Sequence, residues 1–382
     1  MKINNIAYVS GTRADFGLMT PVLKAIDKSD KLKLRLFATG MHLMPEFGYT
    51  IDQVKKEFPN TKVIKTVFTS NDRLGMARFS GDYLHQLVKS IGSEKLDFML
   101  ILGDRIEMLC TALASTYLGI PTIHLHGGEK TFTIDEVARH AITKLSNLHF
   151  ATTVDSAERI RRLGEDAWRI HVVGAPALDV ILNEVLPTKE ELFQKLKVPL
   201  EDEYILVLQH SVTEQIDDAA KQMKQTVDAV KALNLPVVVI YPNSDPGGRA
   251  IIEMIKQERN NPKFHIFKSL EHKYFLALER DASVWVGNSS AGIIESASFH
   301  TPVVNVGDRQ NGRPQSGNVI NVTYKKKEIV KAIEKSLHDL EYLRRLKRVK
   351  NIWGDGHASE RIVRVISEID LDDRLLRKQI TY

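Results

Sequence analysis

The sequence is poor in cysteine. Its 382 residues include one, Cys110, so no disulfide can form within the chain and a disulfide-stapled scaffold is excluded. Such usage suits a reducing compartment. Cys110 stands in EMLCTALASTYLG, an apolar helical stretch where a thiol acts as a small core hydrophobe. Long apolar runs are also missing: none approaches the roughly 20 residues that span a bilayer. At the N-terminus no secretory pattern occurs, since Lys2 leads into a short apolar run and then polar loop residues. These absences suggest a cytoplasmic protein with no membrane partner. No short repeat and no low-complexity segment is visible. Charge of one sign is scarce as well. The net +5 is spread along the chain without a basic tail. That disfavours nucleic acid and suits small anionic ligands. Two phosphate motifs are absent. No G-x-G-x-x-G follows the first strand and no G-x-x-x-x-G-K-[ST] occurs, which counts against a dinucleotide oxidoreductase and a P-loop NTPase.

What is present is an ordinary globular balance, 43% hydrophobic and 26% charged residues. At about 100–200 residues per domain, two domains are expected. Short apolar runs recur with helical patterns between them. In the first half these are NIAYV (5–9), KLRLFAT (33–39), TKVIKTV (61–67), DFMLIL (97–102), PTIHLH (121–126) and LHFATT (148–153). In the second half come YILVLQ (204–209), PVVVIY (236–241), FHIFK (264–268), SVWVG (283–287) and TPVVNV (301–306). Most lack alternation, as strands buried on both faces of a parallel sheet do. Intervening stretches such as 16–28, 76–94, 104–118, 215–233 and 326–348 read as helices. The pattern pauses at 174–202, in GAPALDV, a polar helix and PLEDE. The expected fold is therefore α/β: two Rossmann-like doubly wound domains, 1–172 and 173–382, facing each other across a cleft. The last helix, near 357–367, packs on one domain or the other.

Ligands of open parallel sheets bind beyond the carboxyl ends of strands. Eight polar loops follow strands directly here, among them SGTRADFG, GDRIE, HGGEKTFTIDE, QHSVTEQ, GNSSAGIIE and VGDRQNGR. So many informative strand ends point to an interdomain active site. In the first loop, Gly11 permits a tight turn, a helix begins near Asp15 or Phe16, and Arg13 offers a multidentate cation to a phosphate. The bland alternative is that Asp15 caps the helix and pairs with Arg13. In GNSSAGIIE, the Ser289 and Ser290 hydroxyls and nearby amides suit a diphosphate, and Glu295 suits a ribose diol. Ser N-caps and a surface Glu are the simpler alternative. Arg309 and Arg313 follow as candidate clamps.

The carboxylates sit in the first half. Asp104, Glu129 and Asp135 lie at neighbouring strand ends, where strands about 4.8 Å apart let such groups converge and divide acid and base roles. Pairing of Asp104 with Arg105, and helix-dipole stabilisation by Asp135 and Glu136, are the competing readings. His124 and His126 alternate along one strand and should share a face. A metal is disfavoured because no second ligand motif with metal spacing occurs. His210 ends strand 204–209 in the second half, opposite the cleft, where a polar substrate contact and a packed, hydrogen-bonded histidine are both open readings.

Taken in order, SGTRADFG, TGMHL, LGDRIE, HLHGGEKTFTIDEVARHAITKLSNLHF, GNSSAGIIE and VGDRQNGR resemble the hydrolysing UDP-N-acetylglucosamine 2-epimerases of sialic and related nonulosonic acid pathways. The matching stretches run from residue 8 to about 320. The resemblance implies a fold like that of GT-B glycosyltransferases and UDP held mainly by the second domain. Ser289 and Ser290 would meet the diphosphate and Glu295 the ribose, with His210, Asn243, Arg105 and Arg309 also lining the site. Arg13 would reach the diphosphate from the other domain. The implied reaction eliminates UDP to a 2-acetamidoglucal and adds water to give N-acetylmannosamine, inverted at C2. Asp104, Glu129 and Asp135 are the candidates for proton transfer, without a division of roles, and no redox cofactor or metal is required. Some relatives carry glutamate where this chain has His126, so His126 is a fourth candidate. The HGGE subgroup also includes members acting on UDP-2,4-diacetamido-2,4,6-trideoxyglucose. A non-hydrolysing epimerase and a GT-B glycosyltransferase are the further alternatives. A homodimer or homotetramer is implied.

Overall fold

A computed structural model describes residues 3–198 and 203–382. Most of PLEDE, residues 199–202, lies outside the described residues. The first sheet contains β1 (Asn4–Ser10), β2 (Leu32–Ala38), β3 (Lys62–Val63), β4 (Phe98–Leu102), β5 (Thr122–Leu125), β6 (Leu148–Ala151) and β7 (Ile170–Val172). The second contains β8 (Ile205–Leu208), β9 (Val237–Ile240), β10 (Phe264–Phe267), β11 (Val284–Gly287), β12 (Val303–Val306) and β13 (Val319–Val322). Their orders are β3-β2-β1-β4-β5-β6-β7 and β10-β9-β8-β11-β12-β13. Neighbours pair in parallel, for example Ile6 with Phe98 and Val284 with Ile205.

Each half is a doubly wound α/β layer of the Rossmann kind. The chain starts at the sheet centre, winds out to one edge, returns, and winds out to the other. That reversal opens switch points between β1 and β4 and between β8 and β11, where the connecting loops diverge and leave a crevice. The strands earn their place by burial. Every residue of FMLIL in β4 and VVVI in β9 is buried, and each such side chain contributes about 1.5–3 kcal/mol.

Four elements depart from the sequence reading. TKVIKTV pairs only at Lys62 and Val63, because Thr66 N–H turns back to the Ile64 carbonyl (2.9 Å) and Thr39 Oγ1 donates to that same carbonyl (2.9 Å). The expected helix at 326–348 divides into Lys326–His338 and Leu340–Leu346, since Asp339 accepts from the amides of Glu341 and Tyr342 (both 3.0 Å) and starts a new helix. The edge strands β7 and β13 are partly exposed and lack a long apolar run, so they escape a burial-based signal.

The chain leaves the first sheet at Val172 and passes to the other half through 173–176. It returns through 353–357. There Ala175 N–H bonds to the Trp353 carbonyl (2.7 Å), and the Asp179 carboxylate accepts from the amides of Ala358 (2.9 Å) and Ser359 (2.6 Å). The returning helix Ala358–Glu368 packs on helix Arg13–Asp27, with Ile362 and Ile366 buried in the first-half core beside Met19 and Val22.

Candidate active site

The carboxyl ends of both sheets open on one cleft. The twelve residues expected to act in catalysis or UDP binding all line it: Arg13, Asp104, Arg105, His126, Glu129, Asp135, His210, Asn243, Ser289, Ser290, Glu295 and Arg309, as does the candidate clamp Arg313.

The first loop is a rigid turn. Thr12 caps helix Arg13–Asp27, accepting from Asp15 N–H (3.1 Å), while Asp15 Oδ2 accepts from the amides of Thr12 (2.7 Å) and Gly11 (3.0 Å). The helix thus begins at Arg13, two residues before the expected start. Asp15 does cap, but Arg13 does not pair with it. Arg13 Nη1 instead donates across the cleft to Ser269 Oγ (2.5 Å), and burial draws its pKa down to about 10. Gly17 has a specific reason to be glycine: a Cβ there would lie 2.8 Å from the His272 ring of the second half.

Of Asp104, Glu129 and Asp135, Glu129 is the most enclosed at 1% exposure. It accepts from His126 Nδ1 (2.7 Å) and Thr152 Oγ1 (3.0 Å) and pairs with Arg313 Nη2 (3.0 Å). Burial pushes its carboxyl up, but His126 and Arg313 together hold it below the ordinary value. Since Nδ1 must carry the proton it gives to Glu129, the Nε2 of a neutral His126 is left as an acceptor. Asp104 pairs with Arg139 rather than with Arg105. Arg105 binds Glu107 (3.2 Å) and reaches over to Asp245 (3.2 Å). Asp135, which opens helix Ile134–Leu145, has its pKa raised by burial and by the charge of Asp245. Glu136 beside it accepts from Thr131 N–H (2.6 Å), a helix-start role.

His124 and His126 do not share a face. β5 ends at Leu125 and His126 turns into the left-handed region (φ 64°). The His124 ring goes into the interior, bonded to the Gly103 carbonyl (2.7 Å) and Thr143 Oγ1 (3.2 Å).

In the second half, Gly287 (φ 144°) lets the end of β11 lie close beside β8, where a Cβ would fall 2.0 Å from the Leu208 carbonyl oxygen. Asn288 then ties the two strand ends together: Oδ1 accepts from His210 N–H (2.7 Å) and Nδ2 donates to the His210 carbonyl (2.9 Å). His210 Nδ1 accepts from Asn243 N–H (3.2 Å). Burial and Arg309 keep this ring neutral, its pKa down to about 3. Arg309 donates to the Asn288 carbonyl (3.2 Å), and Ser289 caps the short helix Ser290–Ile294. Glu295, just beyond, is 2% exposed, and burial lifts its pKa to about 8. The cleft thus joins a cationic, hydroxyl-bearing wall to a wall of convergent carboxylates and one histidine.

Sequence reasoning passed over Asp245, His272 and Arg139. Arg139 carried a signal: it lies four residues after Asp135 on the same helix face. Asp245 and His272 line the cleft and meet the opposite half, Asp245 through Arg105 and His272 beside Gly17.

A family model described as UDP-N-acetylglucosamine 2-epimerase matches residues 24–367. The UDP-N,N'-diacetylbacillosamine 2-epimerase (hydrolyzing) of Legionella pneumophila is 38% identical over 381 residues, covering 100% of both chains. The GDP/UDP-N,N'-diacetylbacillosamine 2-epimerase (hydrolyzing) of Campylobacter jejuni is 34% identical over 84% of this chain and 85% of its own. The Methanocaldococcus jannaschii UDP-GlcNAc 2-epimerase, solved in complex with UDP-GlcNAc and UDP, superposes with a TM-score of 0.80 at 21% identity, over 95% of this chain and 99% of that one. Such a likeness extends the GT-B-like architecture to the whole chain. With the family model spanning nearly all of both sheets, the chain belongs to the UDP-N-acetylglucosamine 2-epimerase family.

Proposed function

We propose that this protein is a hydrolysing UDP-sugar 2-epimerase whose substrate is UDP-2,4-diacetamido-2,4,6-trideoxyglucose, that is, UDP-N,N'-diacetylbacillosamine. The observation that carries this reading is the identity with the Legionella enzyme of that name along the full length of both chains. The cleft supports it. Met41, Phe47, Met76 and Ile106 are in its lining, and apolar, adaptable side chains suit a 6-methyl group and acetamido methyls better than hydroxyls. The second reading is UDP-N-acetylglucosamine, giving N-acetylmannosamine for sialic acid synthesis, favoured by the family description itself.

The chemistry is the same for either sugar. Elimination breaks the C2–H bond and the C1–O bond to UDP and leaves a 2-acetamidoglycal. Water then adds its oxygen at C1, and a proton reaches C2 on the opposite face, so C2 inverts. Removal and delivery on opposite faces need two groups. His126 Nε2 is one, with Glu129 fixing the tautomer from behind. Asp135 is the other, because a raised carboxyl is poised nearer neutrality. Asp104, balanced by Arg139, completes the set. Ser289, Ser290, Arg309, Arg13 and Arg105 stabilise the departing diphosphate. His210 and Asn243 line the nucleotide, and Glu295 accepts from the ribose diol. The division into 1–172 and 173–382, a cytoplasmic location and a homodimer or homotetramer belong to the same proposal.

The test is NMR of the purified protein with each UDP-sugar alone. Phosphorus signals report free UDP and proton signals report the released sugar. Release of UDP and the C2-inverted sugar from the diacetamido substrate, at a kcat/KM at least tenfold above that for UDP-N-acetylglucosamine, supports the first reading. The reverse preference transfers the assignment to the second. An inverted UDP-sugar without free UDP refutes hydrolysis, and no turnover without an acceptor returns the transferase reading.

A further inference from the structure

The pair formed by His126 and Glu129 is not complete within the first half. Both residues follow β5, and Glu129 Oε1 accepts from His126 Nδ1 (2.7 Å) and Thr152 Oγ1 (3.0 Å). The group that pairs with Oε2 comes from the other sheet: Arg313 Nη2, 3.0 Å away, on the loop after β12. The two loops are docked on each other. Phe132 N–H bonds to the Arg309 carbonyl (3.3 Å), and Gly312 lies close beside Lys130, whose side chain a Cβ there would meet at 3.4 Å. Arg313 is buried and lines the cleft, and its Nε and Nη1 have no hydrogen-bond partner. Among the described residues, Glu129 is its one ion-pair partner. The charges of Arg309, Asp135 and Glu136 also act on it.

A carboxylate as enclosed as Glu129 carries a charge that a neutral histidine and a hydroxyl do not cancel. Without the guanidinium, two responses remain. The carboxyl takes a proton from solvent and donates to Nδ1, which shifts the ring's own proton to Nε2. Alternatively the imidazole takes a second proton and forms an imidazolium–carboxylate pair. Both place a proton on Nε2, the atom that must be free to accept one. We propose that Arg313 is a positioning residue supplied by the second half: paired to Glu129, it keeps that group a carboxylate, keeps Nδ1 its donor, and so leaves Nε2 of His126 open. It is then not the phosphate clamp that its place in VGDRQNGR suggests. The same loop carries Arg309, assigned to the diphosphate, so the segment that meets the leaving group also sets the proton-transfer group on the opposite wall. This rests on the assignment of His126 to proton transfer given above.

Steady-state UDP release and calorimetry with UDP, both on the full chain, test this. R313M removes the charge and nearly keeps the length of the side chain; kcat is expected to fall about 10²-fold or more, with the Kd for UDP within about threefold of the parent. R313K restores the charge, and because one nitrogen makes the contact, kcat is expected to return to within about tenfold of the parent. R313Q repeats the first measurement should R313M fail to fold, with UDP binding reporting an intact cleft. Action through Glu129 also predicts non-additivity: the double variant of E129Q with R313M should turn over within about threefold of E129Q alone. A Kd for UDP about tenfold weaker in R313M with kcat retained, an R313K as slow as R313M, or losses that multiply in the double variant would each overturn the proposal. H126Q separates the two levels. Turnover there within about threefold of the parent refutes the assignment of His126 itself, whereas a collapse there with R313M fully active refutes only the role of Arg313.

Discussion

Replacing Glu129 by Gln removes one charge and changes almost no volume, so its consequences can be worked from the contacts of that carboxylate. Its two oxygens serve three donors, His126 Nδ1, Thr152 Oγ1 and Arg313 Nη2. A Gln side chain has one carbonyl oxygen, so its amide must face at least one of these donors. Arg313, only 8% exposed and already with Nε and Nη1 unpartnered, loses its counter-charge. Breaking a buried pair in this way costs about 3–5 kcal/mol. For a cooperative unit of this size that lowers Tm by roughly 6–20 °C, at about 2–4 °C per kcal/mol. Turnover is expected to fall by about 10²–10⁴-fold, the usual contribution of a positioned general base, because His126 loses the group that fixes its tautomer. The stability effect also has a pH signature. The Glu129 carboxyl lies below its ordinary 4.5 in the folded protein. Its contribution is therefore fully present above that ordinary value and is lost as the pH falls through the lower, folded value. The Tm gap between parent and E129Q should be full at neutral pH and should narrow on acidification below about 4.5. Melting curves across pH, with UDP release as the activity assay, check both. A variant that melts with the parent at pH 7 and turns over within threefold of it would refute the buried pair and the His126 assignment together.

The remaining predictions probe the other wall and the join between halves. Ser290→Ala and Arg309→Ala should each weaken UDP binding about tenfold by calorimetry, by the loss of a hydrogen bond to a charged group, and unchanged affinity in both would refute the diphosphate assignment. Gly17→Ala sets a Cβ 2.8 Å from His272; by forcing the halves apart it should raise KM more than it lowers Tm, and unaltered kinetics would show that the contact yields freely. Lys378 donates to the Lys144 (2.6 Å) and Ser146 (2.7 Å) carbonyls and pairs with buried Glu165 (2.9 Å). Lys378→Ala should therefore cost about 2–3 kcal/mol by denaturant titration, and a loss under about 0.5 kcal/mol would refute that anchoring.

Much of the fold is legible because a strand buried on both faces must be apolar throughout. PVVVIY and DFMLIL announce themselves for that reason. The two edge strands do not: IHV in β7 and VINV in β13 face solvent in part and can be polar or short. The cleft is legible for a related reason, since loops at strand ends have little work other than binding, and polar clusters such as GDRIE and GNSSAGIIE stand out there. What the sequence conceals is which neighbour each charge finds. Asp104 adjoins Arg105 along the chain yet pairs with Arg139, because the turn after β4 sends the two side chains apart. His124 and His126 obey strand alternation only as long as the strand lasts, and it stops one residue too soon. Glu279 reads as an ordinary helical glutamate, since nothing local marks it as fully buried.

The two passages of the chain between the halves lie against each other, with Ala175 bonded to Trp353 and the Gly174 and Gly354 backbones in close approach. The first half is therefore finished by residues made after the whole second sheet. On a ribosome, a nascent chain of about 200 residues would hold every strand of the first sheet, yet Met19 and Val22 would await the helix Ala358–Glu368 that covers them. Vectorial synthesis would expose that apolar face until the second sheet and the helix after it have been made. The first half would then mature after the second had begun to fold, making the order of completion in the cell the reverse of the order of synthesis.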